Sequence, residues 1–251
     1  MDFAVITGAG SGIGQALAVE LAREKNIKIL GVGRRLQTLQ ETKIQFPERI
    51  HILKADVSTV EGRKKIVNAL PDGVSVKFLI HNAGTLQPVV PLAEMKLEDW
   101  QQHMSTNVEG PLFLTKALLP KLENGRILHI SSGAAHKPYP GWGAYCTSKT
   151  ALFMIYQILR QELAEKNISV GSLRPGVVDT PMQDEVRASD ENAFPALPKF
   201  IQYKKEGKLF SPIRVARFII QLLYELDKDT YSGKEWDIRE HEQELNNYKN
   251  L

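Results

Sequence analysis

Short apolar runs alternate with longer stretches of mixed apolar and polar residues along most of the chain. FAVIT, IKILGVG, IHILKA, VKFLIH, GRILHIS and ISVGSL are each bounded by turn residues, the pattern of strands covered on both faces. Between them, residues 12–25, 36–46, 60–70, 97–122 and 143–166 carry apolar side chains at three- and four-residue spacing, which predicts helices. Such alternation predicts an α/β fold with parallel strands and right-handed crossovers. A helix over 212–226 and a seventh strand over 234–238 continue the pattern. Residues 181–211 lack periodicity and read as one long irregular connection, stiffened by Pro195 and Pro198, of a length typical of substrate lids. The polar tail 239–251 reads as a frayed helix or a disordered end.

Composition narrows the class. With 251 residues, 43% of them hydrophobic, the chain can bury a large core, and no linker divides it, so 1–251 is expected to form one domain. Its 32 Lys and Arg stand against 29 Asp and Glu, and the basic residues are scattered, so nucleic acid is not an expected partner. The lone Cys146 excludes an internal disulfide and fits a reducing compartment. MDFAVITGAG reaches glycine too soon for a signal peptide, and no run approaches a membrane span. The expectation is a soluble, cytoplasmic protein.

Two places carry chemistry. The turn Thr7-Gly8-Ala9-Gly10-Ser11-Gly12-Ile13-Gly14 joins a strand to a helix, where absent side chains let backbone N–H groups approach a pyrophosphate. At the end of the second strand a carboxylate would bind the ribose diol of NAD, but the chain has Gly33-Arg34-Arg35 there. That points to NADP(H), with Arg34 on the 2′-phosphate and Arg35 helping or stacking on adenine. In YCTSK, Tyr145 and Lys149 stand one helical turn apart, so the ammonium is expected to stabilise the phenolate and lower the tyrosine pKa. A phenol so tuned can exchange a proton with a substrate oxygen, and a dinucleotide would supply the hydride. No metal is needed.

The T-G-x-x-x-G-x-G spacing resembles that of the short-chain dehydrogenase/reductase family, a Rossmann-type doubly wound sheet with helices on both faces. The likeness extends through Asp56-Val57, Asn82-Ala83-Gly84, Asn107 in TNVEGP, Ser132 thirteen positions before Tyr145, and Pro175-Gly176 with Val178 and Thr180. It implies that Asp56 and Val57 contact adenine, that Pro175 to Thr180 lie beside the nicotinamide, and that Asn107 interrupts a helix. It also implies that Asn107 holds a water behind Lys149, that Ser132 hydrogen-bonds the reacting oxygen, that Lys149 holds the ribose, and that Tyr145 is the general acid. His81 stands where relatives often carry asparagine and is expected to be structural.

PYPGWGAYCTSK, RPGVVDTPMQDEVR and KLFSP resemble the sepiapterin reductase and benzil reductase branch of that family. The branch implies reduction of a vicinal diketone or aryl ketone, with a pterin or a secondary alcohol as alternatives. Trp142, Met182, Tyr139 and Phe194 are candidates to line an apolar pocket. Residues 97–122 and 143–166 carry surplus apolar residues, among them Leu112, Phe113, Phe153, Met154 and Tyr156, and the family resemblance implies that these helices pair between subunits of a homodimer or homotetramer.

Overall fold

In the computed structural model, residues 2–24 and 26–248 are described. Seven parallel strands, β1 (Asp2–Thr7), β2 (Lys28–Gly33), β3 (Ile50–Lys54), β4 (Ser75–His81), β5 (Arg126–Ile130), β6 (Ser169–Arg174) and β7 (Glu235–Asp237), lie in the order β3-β2-β1-β4-β5-β6-β7. The first three strands wind outward from β1 and the next four wind the other way. A crevice therefore opens beyond the carboxyl ends of β1 and β4, where the winding reverses.

Both faces are covered. On one side α1 (Gly12–Glu24) and α2 (Leu36–Lys43) pack with a late helix, Pro212–Tyr224, whose Val215, Phe218, Ile219 and Leu222 are fully or nearly fully buried against the sheet. On the other side lie α3 (Val60–Asn68), α4 (Leu97–Met104), α5 (Gly110–Leu118) and α6 (Gly143–Glu162), which bury Ile66, Leu114, Leu118 and Tyr156. Strand residues such as Val5, Ile6, Leu79 and Ile80 have no exposed surface, which is why the strands read as unbroken apolar runs.

Two expectations change, and one pair of alternatives is decided. The helix expected over 97–122 is broken by a π-turn at Ser105–Glu109 that separates α4 from α5. The irregular stretch 181–211 contains two helices, α7 (Pro181–Arg187) and α8 (Leu197–Lys205), each with proline in its first turn. Proline is tolerated there because the first N–H groups of a helix have no intrahelical partner. After α9 (Pro212–Tyr224) and α10 (Lys228–Gly233), the polar tail forms α11 (Ile238–Tyr248), anchored by fully buried Leu245. The helix expected to reach Lys25 is described only to Glu24, and 249–251 also lie outside the described residues. Among the described residues, no helix is long and apolar enough to cross a membrane.

Candidate active site

The glycine turn is held by close approach and by a few side-chain hydrogen bonds. Gly12 has φ +55°, and a Cβ there would lie 2.9 Å from Thr180 Cγ2, so the turn after β1 and the loop after β6 meet over 168 residues apart in sequence. A Cβ on Gly14 would lie 2.4 Å from the Gly8 carbonyl oxygen. Either addition would force backbone to move. Asn82 locks the arrangement from β4: its amide donates to the carbonyls of Thr7 (2.9 Å) and Gly8 (3.2 Å). Thr7 Oγ1 in turn accepts from the backbone N–H groups of Asn82 and Ala83.

These segments wall one crevice of about 470 Å³. Gly8, Ser11, Gly12 and Ile13 form its floor with Ala83 and Gly84. Arg34, Arg35, Asp56 and Val57 close one end, both arginines being exposed. Arg35 Nη2 reaches Ser11 Oγ at 3.5 Å, and the Asp56 carboxylate is engaged by Ser58 through its N–H and hydroxyl. Pro175, Gly176, Val178 and Thr180 line the opposite wall. Their loop is pinned to the end of the 181–211 segment, Phe210 N–H donating to the Val177 carbonyl and Asp179 N–H to that of Phe210. Gly14 does not line the crevice; it lies under Gly8.

Tyr145, Lys149 and Ser132 also face this crevice. Tyr145 and Lys149 come from successive turns of α6 and are 7% and 5% exposed, while Ser132 follows β5 and uses its hydroxyl to accept from Ala134 N–H. Lys149 Nζ donates to the Ile130 carbonyl at 2.8 Å and sits 5.7 Å from the centre of the Tyr145 ring. Asn107 lies behind them, buried in the π-turn. Its amide clamps Thr85 in both directions, accepting from Thr85 N–H and donating to Thr85 O, each at 2.9 Å, and it also donates to Ser148 Oγ. Ser148 donates to the Tyr145 carbonyl, so the broken helix, the loop after β4 and α6 are bolted together.

Electrostatics differ from the expectation. Burial pushes the Tyr145 phenol up to about 12, with the Ser132 hydroxyl pulling weakly the other way. Burial also brings the Lys149 ammonium down to about 8. Desolvation dominates: Lys149 turns its ammonium to the Ile130 carbonyl and is itself penalised for carrying charge in the interior. At neutral pH Tyr145 keeps its proton.

The far end of the crevice is aromatic. Trp142 is 5% exposed, its ring centre 5.6 Å from that of Tyr145 and 5.1 Å from that of Tyr139. Phe194, expected to line this pocket, does not: it stacks behind Trp142, centres 4.5 Å apart and planes 13° from parallel. Met182 and Phe200 reach the crevice from the 181–211 segment. Thr38, Thr85, Phe200, Gln183 and Arg239 line it as well and were missed. Thr38 follows the two arginines in the first turn of α2, a legible hint, whereas Phe200 and Arg239 arrive from distant segments with no local signal. His81 is buried, its Nε2 2.8 Å from Thr115 Oγ1, and takes no part in the crevice.

The model of the short chain dehydrogenase family matches residues 2–191. A benzil reductase ((S)-benzoin forming) of Bacillus cereus is 34% identical over 236 residues, which span 89% of this chain and 94% of that protein. A serine 3-dehydrogenase of Agrobacterium fabrum is 36% identical over 179 residues, 70% of this chain and 72% of that one. The crystal structure of a short chain dehydrogenase/reductase from Saccharomyces cerevisiae superposes with a TM-score of 0.88 at 27% identity, covering 99% of each chain.

Proposed function

The chain belongs to the short-chain dehydrogenase family of oxidoreductases, and on that premise we propose that it is an NADPH-dependent carbonyl reductase acting on a vicinal diketone or aryl ketone. The observation that carries the reading is the convergence, in one crevice, of a buried protonated phenol, a serine hydroxyl and a buried ammonium one turn behind. The relative named as a benzil reductase supports the substrate class.

The crevice fits a dinucleotide. Its floor is backbone at Gly8 and Gly84, where added Cβ atoms would meet Asn82 Nδ2 at 2.8 Å and Asn107 Oδ1 at 3.3 Å, so side chains there would disturb the turns that present backbone N–H groups to a pyrophosphate. Gly8 to Ile13, Asp56, Val57 and Ala83 would hold it, with Arg34 and Arg35 on a 2′-phosphate and Pro175, Gly176, Val178 and Thr180 beside the nicotinamide. When bound, it supplies hydride to the carbonyl carbon. Tyr145 donates its proton to the oxygen as negative charge develops there, and Ser132 donates a hydrogen bond to the same oxygen. Lys149 holds the ribose, and its charge favours the phenolate left behind. Asn107, with its side chain engaged on Thr85 and Ser148, sits where it can keep a water behind Lys149 and let the proton be replaced.

Residues 181–211 act as a lid, since Met182 and Phe200 bring them to the substrate end. The exposed Phe113, Met154 and Ile158 on α5 and α6 support pairing of these helices between two or more copies. Light scattering at micromolar concentration showing monomer alone would exclude such pairing. For the activity, benzil, aliphatic diketones, pterins, steroids and sugars are offered with NADPH and with NADH. Benzil consumed with NADPH is the expected result, and turnover confined to secondary alcohols with NAD overturns it.

A further inference from the structure

Trp142 carries a physical debt within the crevice. Its indole Nε1 is buried and has no hydrogen-bond partner among the described residues, although indole N–H groups usually find one when enclosed. The other fully enclosed indole shows the contrast: Trp236 Nε1 donates to the Tyr231 carbonyl at 3.0 Å. Leaving a buried donor unsatisfied is costly, so a native site that keeps one calls for an explanation. The rings enclosing Trp142 include Phe194 and Phe200, both from the 181–211 segment, at 4.5 and 5.2 Å between centres. Phe194 lies on the face of the indole and Phe200 is tilted to it, and both come from a segment outside the sheet. Trp142 also precedes Tyr145 by three residues at the start of α6, so the two rings share a helix face and meet edge to face.

We propose that the Trp142 indole N–H is the donor for the second oxygen of a 1,2-dicarbonyl substrate, the oxygen on the carbon next to the one being reduced. The inference rests on the carbonyl-reductase reading and deepens it. Tyr145 and Ser132 take the reacting oxygen; of the other rings that line the crevice, Phe200 is purely apolar and Tyr139 carries a hydroxyl, and the indole is singled out by its buried, unpaired N–H. A dicarbonyl seated in the crevice presents its second oxygen to the N–H as the acceptor. A monoketone of the same shape leaves it unpaired, and discrimination between the two follows.

The test compares benzil with deoxybenzoin, which keeps both phenyl rings and loses one carbonyl. Trp142→Phe is expected to lower kcat/KM for benzil about tenfold more than for deoxybenzoin, a ratio from which general loss of packing cancels. An independent readout needs no variant: indole 15N–1H resonances of the wild-type protein with NADP⁺, where the Trp142 signal is expected to move downfield with benzil and not with deoxybenzoin. Equal losses for both ketones together with an unmoved resonance overturn the indole donor and leave the reductase standing. Failure of the wild-type protein to oxidise NADPH with either ketone removes the reductase reading and this inference together.

Discussion

The two ends of the crevice are built by opposite means. At the nucleotide end the wall is backbone, and the working positions are ones where a side chain is forbidden: Gly12 at positive φ against Thr180, Gly14 against the Gly8 carbonyl. At the substrate end the wall is side chain, with Trp142, Tyr139 and Phe200 meeting from α6, the loop before it and α8. A backbone wall leaves a local signature, since each residue's requirement is set by its own turn. A wall of rings from three segments leaves none, because any apolar residue with the right tertiary neighbours would serve.

Four substitutions or conditions break or sharpen this contrast. The largest effect belongs to Tyr145→Phe, where the ends meet: turnover is expected to fall about a thousandfold with NADPH affinity nearly unchanged, measured by steady-state rates and by fluorescence titration. Normal turnover would end the assignment. Arg34→Ala acts on the nucleotide end alone and should raise KM for NADPH about tenfold to a hundredfold while leaving NADH nearly untouched. Parallel changes for both nucleotides would remove the 2′-phosphate role.

Phe194→Ala probes whether the aromatic end is lid or core. Truncating a fully buried phenylalanine costs about 3–5 kcal/mol where the whole domain feels it. If residues 181–211 open as their own unit, the melting temperature shifts by only about 2 °C while trypsin cuts faster at Arg187, Lys199 and Lys204. A large drop in melting temperature without faster cutting would make the segment part of the main core. The smallest effect concerns pH. Lys149 is lowered to about 8, so its charge is present below that value and lost as pH rises through it. The kcat/KM for NADPH should therefore decline by a few fold above pH about 8. Tyr145, raised to about 12, stays protonated throughout and does not shape this limb. A flat profile to pH 10 would show that the ammonium is dispensable.

Legibility followed the same divide. The strands were readable because residues such as Val5, Leu79 and Ile127 are buried on a sheet covered twice, leaving unbroken apolar runs. Arg34 and Arg35 were readable because a strand end leaves them only one crevice to face. The break at 105–109 was hidden from periodicity, which continues smoothly from α4 into α5; only the family likeness flagged Asn107, and what holds the break is its pair of hydrogen bonds to Thr85 across 22 residues. Helices α7 and α8 were hidden because their proline-led starts look like loop and their stability comes from packing Val186, Leu197 and Phe200 under Trp142. The tail's choice between helix and disorder stayed open because its apolar anchor, Leu245, shows its value only against α9 and the sheet.

Order along the chain, the glycine cradle, the arginine pair and the tyrosine, lysine and serine were thus written locally, each depending on its own dihedrals or on neighbours one turn away. The acidity of the phenol, the ring that backs Trp142 and the unpaired indole depend on how much water the folded chain excludes and on which distant side chains exclude it. Desolvation belongs to the whole packed arrangement, so no window of sequence contains it.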